Sequence, residues 1–133
     1  MADPMQVEVV SADEVVWSGD ATNIIAKTVD GDIGILANHS PVLAVLAPSG
    51  VEIITPDGSR EIIAVDGGFI SVSRGRVSIL SEYAKLGQEI GLSQAERDLA
   101  AATAAIDGGD DSEEMHNRFL RATAQVRAAQ KAH

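Results

Sequence analysis

Cysteine is absent from the 133 residues, which excludes disulfide scaffolds, cysteine-ligated zinc sites and thiol catalysis. Aromatic residues make up only 3% of the chain, so its core has to rest on Val, Ile, Leu and Ala. Basic residues are few as well, with 10 Lys and Arg against 20 Asp and Glu and a net charge of −10. Nucleic acids and anionic lipids are bound by clustered cations, so neither is expected as a partner. No apolar run approaches a bilayer span and no signal peptide is visible, so we expect a soluble protein.

Residues 1–86 have the pattern of short strands. Turn pairs such as Asp30-Gly31 and Arg74-Gly75 supply the positive φ angles that tight hairpins need. The expected strands cover Val7–Val10, Thr22–Thr28, Ile33–Leu36, Val51–Thr55, Glu61–Val65, Phe69–Ser73 and Arg76–Leu80. Short strands at regular spacing are typical of an antiparallel β-sandwich or barrel, and we place a β-sandwich domain at residues 1–86.

Residues 87–133 have a helical pattern instead, and we expect a C-terminal antiparallel two-helix hairpin. Apolar residues spaced by three and four form one stripe on each helix: Leu92, Ala95, Leu99, Ala102 and Ile106, then Met115, Phe119, Ala122, Val126 and Ala129. Ser93 and Glu96 match a capping box at the start of the first helix. Gly108-Gly109 ends that helix, and the second helix starts near Asp111 or Ser112.

The charges of the hairpin segregate along the chain. Acidic residues surround the turn between the helices, whereas Arg118, Arg121, Arg127 and Lys131 follow with no acid among them. Helix-dipole complementarity explains this order without any partner. The alternative is that the last helix meets an acidic partner. Under this alternative the arginines are free to point outward while the apolar stripe packs.

No sequence pattern indicates catalysis, a metal or a cofactor. His39, His116 and His133 are not spaced as metal ligands. His39-Ser40 near Asp32 lacks a nucleophile elbow, and the glycine pairs lack a phosphate-loop sequence. We therefore expect a non-catalytic protein with no cofactor and no metal. One alternative is a small ligand-binding β-sandwich module with a helical tail, although such sites usually use aromatic platforms that are scarce here.

The most individual stretch runs from Gly31 to Pro41 and reads GDIGILANHSP. It resembles the Gly-(Asp/Glu)-x-Gly…His-x-Pro segment in the epsilon subunit of F-type ATP synthase. Val9–Ala12 followed by Trp17-Ser18-Gly19 is similar to the first hairpin of that family. Gly67–Val72 and Val77–Leu80 are similar to its last two strands, and two C-terminal helices complete the plan. The resemblance covers nearly the whole chain in order.

The resemblance implies a non-catalytic rotor subunit of the central stalk, which couples proton-driven rotation to ATP synthesis. Its partners would be the gamma subunit, the ring of membrane c subunits and, through the C-terminal helices, the alpha/beta catalytic hexamer. It would lie at the cytoplasmic face of the bacterial cell membrane and associate with the membrane only through the complex. The hairpin would fold down on the sandwich or extend toward the hexamer, where it would restrain ATP hydrolysis.

The resemblance also implies site residues. The c-ring contact would comprise Asp32, Ile35, Asn38, His39 and Ser40, with the two turns around the short strand meeting the ring at one end of the sandwich. The gamma contact would comprise Ser11 and Trp17, and the regulatory tail Arg118, Arg121, Arg127 and Lys131.

A nucleotide motif is degenerate in this sequence. ATP-binding members of the family carry Ile/Leu-Asp-x-x-Arg-Ala at the start of the first helix. Here Ile90, Gly91, Gln94 and Ala95 stand at the matching positions. Gly91 and Gln94 cannot supply the charges of the Asp and the Arg, so we expect ATP to bind weakly or not at all.

Overall fold

The computed structural model describes residues 3–12 and 14–133. Within these residues ten strands are followed by a short 3-10 helix and two α-helices. The strands are β1 (Met5–Ser11), β2 (Glu14–Ala21), β3 (Asn23–Thr28), β4 (Gly31–Leu36), β5 (Val42–Val45), β6 (Ser49–Ile54), β7 (Arg60–Val65), β8 (Phe69–Ser73), β9 (Arg76–Ser81) and β10 (Ala84–Leu86). The helical part comprises the 3-10 helix Gly87–Glu89, α1 (Leu92–Asp107) and α2 (Glu113–Ala132).

The strands form a sandwich of two five-stranded sheets. The first sheet has the order β2-β1-β9-β8-β5, and the second sheet has the order β10-β7-β6-β3-β4. Neighbouring strands are antiparallel except β1 and β9, which run parallel with Val7 opposite Val77. The predicted β-sandwich with a C-terminal helical hairpin is confirmed, with this one parallel pair as a departure from a wholly antiparallel arrangement.

Alternation along the strands puts one face of each sheet into the core. In β1, Met5, Val7 and Val9 are buried while Gln6 and Glu8 are exposed. The fully buried side chains are aliphatic, as the scarcity of aromatic residues predicted: the largest are Met5, Ile24, Ile35, Ile53, Ile63, Ile70, Ile79, Val9, Val51, Val65 and Val77. Each such side chain contributes about 1.5–3 kcal/mol by leaving water.

The periodicity of the sequence does not predict β2, β5 and β10. β2 is paired to β1 through a register shift between Val9 and Val10, which interrupts its alternation. β5 and β10 have four and three residues, too few for a period to show. These strands are held by their neighbours in the sheets and not by a pattern of their own.

The two helices pack against each other, and α2 also lies on β6 and β7 of the second sheet. α1 ends where the glycine pair predicts, with Gly108 as its C-cap and Gly109 at a φ of +106°. The start of α2 is also confirmed, because Ser112 is its N-cap and the Ser112 Oγ accepts a hydrogen bond from the Met115 N–H at 3.2 Å.

The predicted capping box at α1 is wrong. α1 begins at Leu92 with Gly91 as its N-cap, and no side chain in the described part of the chain caps it. The first helical hydrogen bond runs from the Ala95 N–H to the Gly91 carbonyl at 3.0 Å, so Ser93 already lies inside the helix. Its Oγ accepts a hydrogen bond from the Arg97 Nη1 at 2.8 Å instead.

Candidate docking surfaces

Small residues bring α2 close to the second sheet. Ala124, Ala128 and Ala129 of α2 are fully buried in a cluster with Ile62 and Ala64 of β7. A Cβ built on Gly50 of β6 would lie 2.8 Å from the Ala128 Cα, closer than real Cβ atoms approach. Glycine at this position of the strand therefore lets the helix backbone reach the sheet.

Basic side chains of α2 contact the backbone of the sandwich. Arg127 Nη1 donates to the Pro48 carbonyl at 2.5 Å, and Lys131 Nζ donates to the Gly50 carbonyl at 3.1 Å. Arg60 Nη1 of β7 donates to the Lys131 carbonyl at 2.9 Å. The expectation that the arginines point outward is therefore wrong for Arg127, because the loop before β6 offers it a carbonyl, and Lys131 is bound to the sandwich in the same way.

Arg121 also contacts the sandwich, in a group that we name the Tyr83 cluster: Asp66, Tyr83, Arg121 and Gln125. Arg121 Nε lies 3.4 Å from Asp66 Oδ2, and its guanidinium carbon lies 5.4 Å from the centroid of the Tyr83 ring. Gln125 Nε2 donates to the Tyr83 hydroxyl at 2.9 Å, and Asp66 Oδ1 accepts from the Tyr83 N–H at 3.3 Å. Burial raises the pKa of Tyr83, and the Gln125 hydrogen bond and the Arg121 charge oppose that rise only in part.

Arg118 differs from the other three tail residues. Its Nη2 lies 2.9 Å from Glu114 Oε1, one turn earlier on the same exposed face of α2. Such an exposed ion pair contributes only about 0.3–0.5 kcal/mol. Of the predicted regulatory residues, Arg118 alone is thus paired within its own helix, and Arg121, Arg127 and Lys131 hold α2 on the sandwich.

The predicted c-ring residues do not form one patch. Asp32 pairs opposite Lys27 next to the β3–β4 turn, whereas Asn38, His39 and Ser40 follow the other end of β4. The rise from Asp32 to Leu36 alone is about 13 Å in an extended strand. The expectation that both turns share one end of the sandwich is therefore wrong.

Ile35 is likewise not on a surface. Its side chain is 0% exposed and belongs to the sandwich core, because it points inward from β4. In this conformation Ile35 cannot contact the c-ring, and its side chain contributes to the packing of the sandwich core.

The loop after β4 borders an open hollow at its end of the sandwich. The hollow has a volume of about 670 Å³ and is lined by Gln6, Asn38, His39, Arg74 and Arg76 among others. His39 closes the turn, since its N–H donates to the Leu36 carbonyl at 2.9 Å.

An exposed apolar row crosses the outer face of the first sheet, and sequence reasoning missed it. Each of the five strands contributes one residue to this row, which we name the apolar band: Val10, Val15, Val45, Phe69 and Leu80. The strand register places Val10 opposite both Val15 and Leu80, and Phe69 opposite both Leu80 and Val45. Val15, Val45, Phe69 and Leu80 are 53%, 44%, 50% and 51% exposed. A contiguous exposed apolar patch marks an interaction surface.

Neither of the two predicted gamma-contact residues belongs to the apolar band. Ser11 ends β1 directly after Val10 of the band and is half-buried. Trp17 pairs opposite the buried Val9 and packs against the core, so it lies on the inner face of β2. Its ring covers Gly19, where a Cβ would be 3.0 Å from Trp17 Cη2.

The residues at the degenerate nucleotide motif do not surround a cavity. Ile90 and Ala95 are buried against the sandwich. Gln94 is engaged on its own helix, since its Nε2 donates to Asp98 Oδ1 and its Oε1 accepts from Arg97 Nη2, both at 2.8 Å. A hollow of about 300 Å³ between the helices is lined by other residues, including Asp98, Met115, Arg118, Arg121 and Gln125.

The described residues 3–12 and 14–133 contain no group of His, Asp and Glu that could hold a metal ion. Across the same residues, neither α1 nor α2 has the length and apolar character of a bilayer-spanning helix.

Comparison with protein families gives one family model. It is described as "ATP synthase, Delta/Epsilon chain, beta-sandwich domain", and it matches residues 4–87. An ATP synthase epsilon chain of Cutibacterium acnes is 44% identical over 137 residues, covering 97% of this chain and 94% of that protein. An ATP synthase epsilon chain of Streptomyces coelicolor is 43% identical, covering 93% of this chain and 98% of that protein.

A shorter relative resembles the sandwich in size. The ATP synthase epsilon chain of Frankia casuarinae is 54% identical over 84 residues, which cover 62% of this chain and 98% of that protein. An alignment of 84 residues is as long as the family-model match to residues 4–87, so that relative is about as large as the sandwich alone.

Solved structures share the fold at low sequence identity. A chain of the Euglena gracilis mitochondrial ATP synthase, in a structure of its OSCP, F1 and c-ring, gives a TM-score of 0.77 at 23% identity, over 97% of this chain and 81% of that chain. A chain of the Tetrahymena thermophila mitochondrial ATP synthase central stalk and c-ring gives 0.58 at 18% identity, over 98% and 97%.

Proposed function

Since this chain belongs to the ATP synthase epsilon chain family, and is a non-catalytic subunit of that complex, we propose that it docks on the gamma subunit through the apolar band. As part of the central stalk it couples proton-driven rotation to ATP synthesis at the cytoplasmic face of the membrane. Family membership decides against the alternative of a small ligand-binding module.

The apolar band is the observation that carries the docking proposal. It spans all five strands of the first sheet, so a partner can bury it without changing the fold. Burial of apolar surface is the main driving force of stable association. The net charge of −10 opposes association of two copies of this chain, which favours a different protein as the partner.

The β3–β4 turn supports contact with the c-ring. Asp30 and Asp32 are exposed there. The turn also adjoins the band, since the Val29 N–H donates to the Val45 carbonyl at 3.0 Å. One stalk subunit can therefore meet gamma with the band and the ring with this adjacent turn, while the loop at Asn38 and His39 faces the other way.

The hairpin supports a regulatory role in which docking and inhibition exclude each other. In the docked conformation Arg121, Arg127 and Lys131 are bound to the sandwich. The same side chains would have to leave these partners before they could meet acidic segments of the alpha/beta hexamer. We infer that the docked hairpin is the state that permits ATP hydrolysis.

The docking proposal is tested by charge substitution within the band. The double variant Phe69→Asp, Leu80→Asp puts two carboxylates on the band, and we expect it to lose co-purification with the gamma subunit. Ser73→Asp is the matched control, because Ser73 is exposed on β8 four residues after Phe69 of the band and pairs opposite Arg76. Retention of gamma by the folded double variant, as judged by circular dichroism, would contradict the proposal.

A further inference from the structure

A cleft lies where the apolar band meets α2. Its volume is about 480 Å³. Val10, Phe69 and Leu80 of the band line one side, and Asn117 and Leu120 of α2 line another. The outer face of the first sheet and the docked hairpin therefore form one continuous surface.

A tightly packed turn forms the wall between them. The β7–β8 turn, Asp66-Gly67-Gly68, also lines the cleft. Gly68 has a φ of +97°, and a Cβ there would lie 1.9 Å from the Leu80 carbonyl oxygen. Because only glycine fits this position, the turn packs closely on β9, and α2 forms the opposite side of the cleft.

The charge of the cleft indicates the chemistry of its occupant. The described residues that line it include the acids Asp66 and Glu82 and no Lys or Arg. Asp66 is paired with Arg121, so the exposed Glu82 supplies the negative charge of the cleft. An apolar side chain accompanied by a basic residue would fit these walls. A second copy of this chain is disfavoured, since its net charge of −10 would repel the cleft.

We propose that the gamma subunit, bound on the apolar band, also fills this cleft and contacts α2, so that gamma binding and hairpin docking stabilise each other. The proposal rests on the docking function proposed above. Binding linkage is reciprocal. A partner that contacts the docked α2 shifts the docking equilibrium of the hairpin toward the docked state, and undocking of α2 lowers the affinity for that partner by the same factor.

The first variant removes the α2 side of the cleft without disturbing docking. Leu120→Ala truncates a side chain that is half-buried and lies outside the buried cluster between α2 and the sheet. We expect gamma affinity to fall about three- to tenfold, as for the loss of part of a buried leucine. Arg118→Ala is the control on the same helix, because Arg118 pairs with Glu114 and does not line the cleft.

The second variant moves α2 away. Gly50→Val places a side chain where Ala128 now packs, whereas Gly34→Val adds the same group to the same sheet with no atom within 4 Å. We expect Gly50→Val to weaken gamma binding to the same extent as Leu120→Ala and Gly34→Val to leave it unchanged. The combination of Gly50→Val with Leu120→Ala should be no weaker than Gly50→Val alone.

Titration calorimetry of the full chain with the purified gamma subunit gives these affinities. Affinities for Leu120→Ala and Gly50→Val within twofold of the unmodified chain would overturn the inference, while loss of binding in the Phe69→Asp, Leu80→Asp variant would still support docking on the band. Equal binding by that band variant would instead overturn the proposed function. Dimerisation of the isolated chain that the band variant abolishes, seen by sedimentation, would assign the surface to a second copy and overturn the choice of gamma.

Discussion

At the scale of single residues, Tyr83 joins the hairpin to the sandwich. It follows β9, and its backbone N–H is bound by Asp66 while its hydroxyl accepts from Gln125 of α2. The Arg121 guanidinium covers the ring, an arrangement that contributes about 0.5–1 kcal/mol at partly exposed sites. Because Tyr83 is the single tyrosine of the chain, its phenol is a spectroscopic probe of whether α2 is docked.

Ultraviolet titration of tyrosinate should therefore follow docking. Burial raises the pKa of Tyr83 above its ordinary value of 10.0 when α2 is docked, and Gly50→Val should return the pKa toward that value. The docked state favours the protonated phenol, so docking keeps its full stability below pH 10.0 and loses stability as the pH rises through the raised pKa. Gly34→Val should titrate like the unmodified protein. An identical pKa in Gly50→Val would show that α2 does not cover Tyr83.

At the scale of elements, α2 has two buried faces, and the predicted stripe is divided between them. Met115 and Ala122 of the stripe border the hollow between the helices, whereas Ala129 of the same stripe lies in the cluster against the sheet with Ala124 and Ala128, which the stripe does not include. Alanine is common on exposed helices, so no local signal separates a second packing face from a solvated one. The contact from Lys131 to the Gly50 carbonyl spans 81 positions, which is also beyond any local pattern.

A larger side chain at Gly50 should release this element alone. Overpacking of a close contact costs about 1–3 kcal/mol, and in Gly50→Val the cost falls on docking because the added Cβ meets Ala128 and Ile62 of the cluster between α2 and the sheet. We expect amide hydrogen exchange in α2 to accelerate by about tenfold or more while the strands keep their protection. Loss of strand protection in Gly50→Val would mean that the sandwich and the hairpin unfold together.

At the scale of the whole molecule, features set by residues close in sequence can be predicted from the sequence, and features set by residues far apart in sequence cannot. The alternating pattern predicts strands with one solvent-exposed face to within a residue or two at each end, and β8 matches its predicted range, Phe69–Ser73. The apolar band could not be predicted, because Val10, Leu80 and Val45 become neighbours only through the pairing of strands far apart in sequence. The c-ring set was divided for a related reason: residues close in sequence on either side of a strand lie at opposite ends of a sheet.

The sandwich and the hairpin have separate cores, which suits a hairpin that leaves and returns. The sandwich core is aliphatic and large, whereas the hairpin docks through a small cluster dominated by alanine. Docking of the hairpin therefore depends on the contacts of α2 with β6, with β7 and with the Tyr83 cluster.

A disulfide from Gly87, the residue directly after β10, to Ala132 at the end of α2 should hold α2 in its docked position. A Cβ at Gly87 would lie 3.1 Å from the Ala132 Cβ and 3.1 Å from the Ile62 carbonyl oxygen, so a Gly87→Cys, Ala132→Cys pair needs a shift of a few tenths of an ångström to reach the usual disulfide range of about 3.5–4.5 Å. The chain has no other cysteine, so oxidation forms a single cross-link. Arg121, Arg127 and Lys131 then stay on the sandwich, and we expect the assembled enzyme to hydrolyse ATP faster when the pair is oxidised than when it is reduced. Ala132→Cys alone should show no such redox dependence. Equal rates for the oxidised and reduced pair would show that ATP hydrolysis is not restrained by a hairpin that leaves the sandwich.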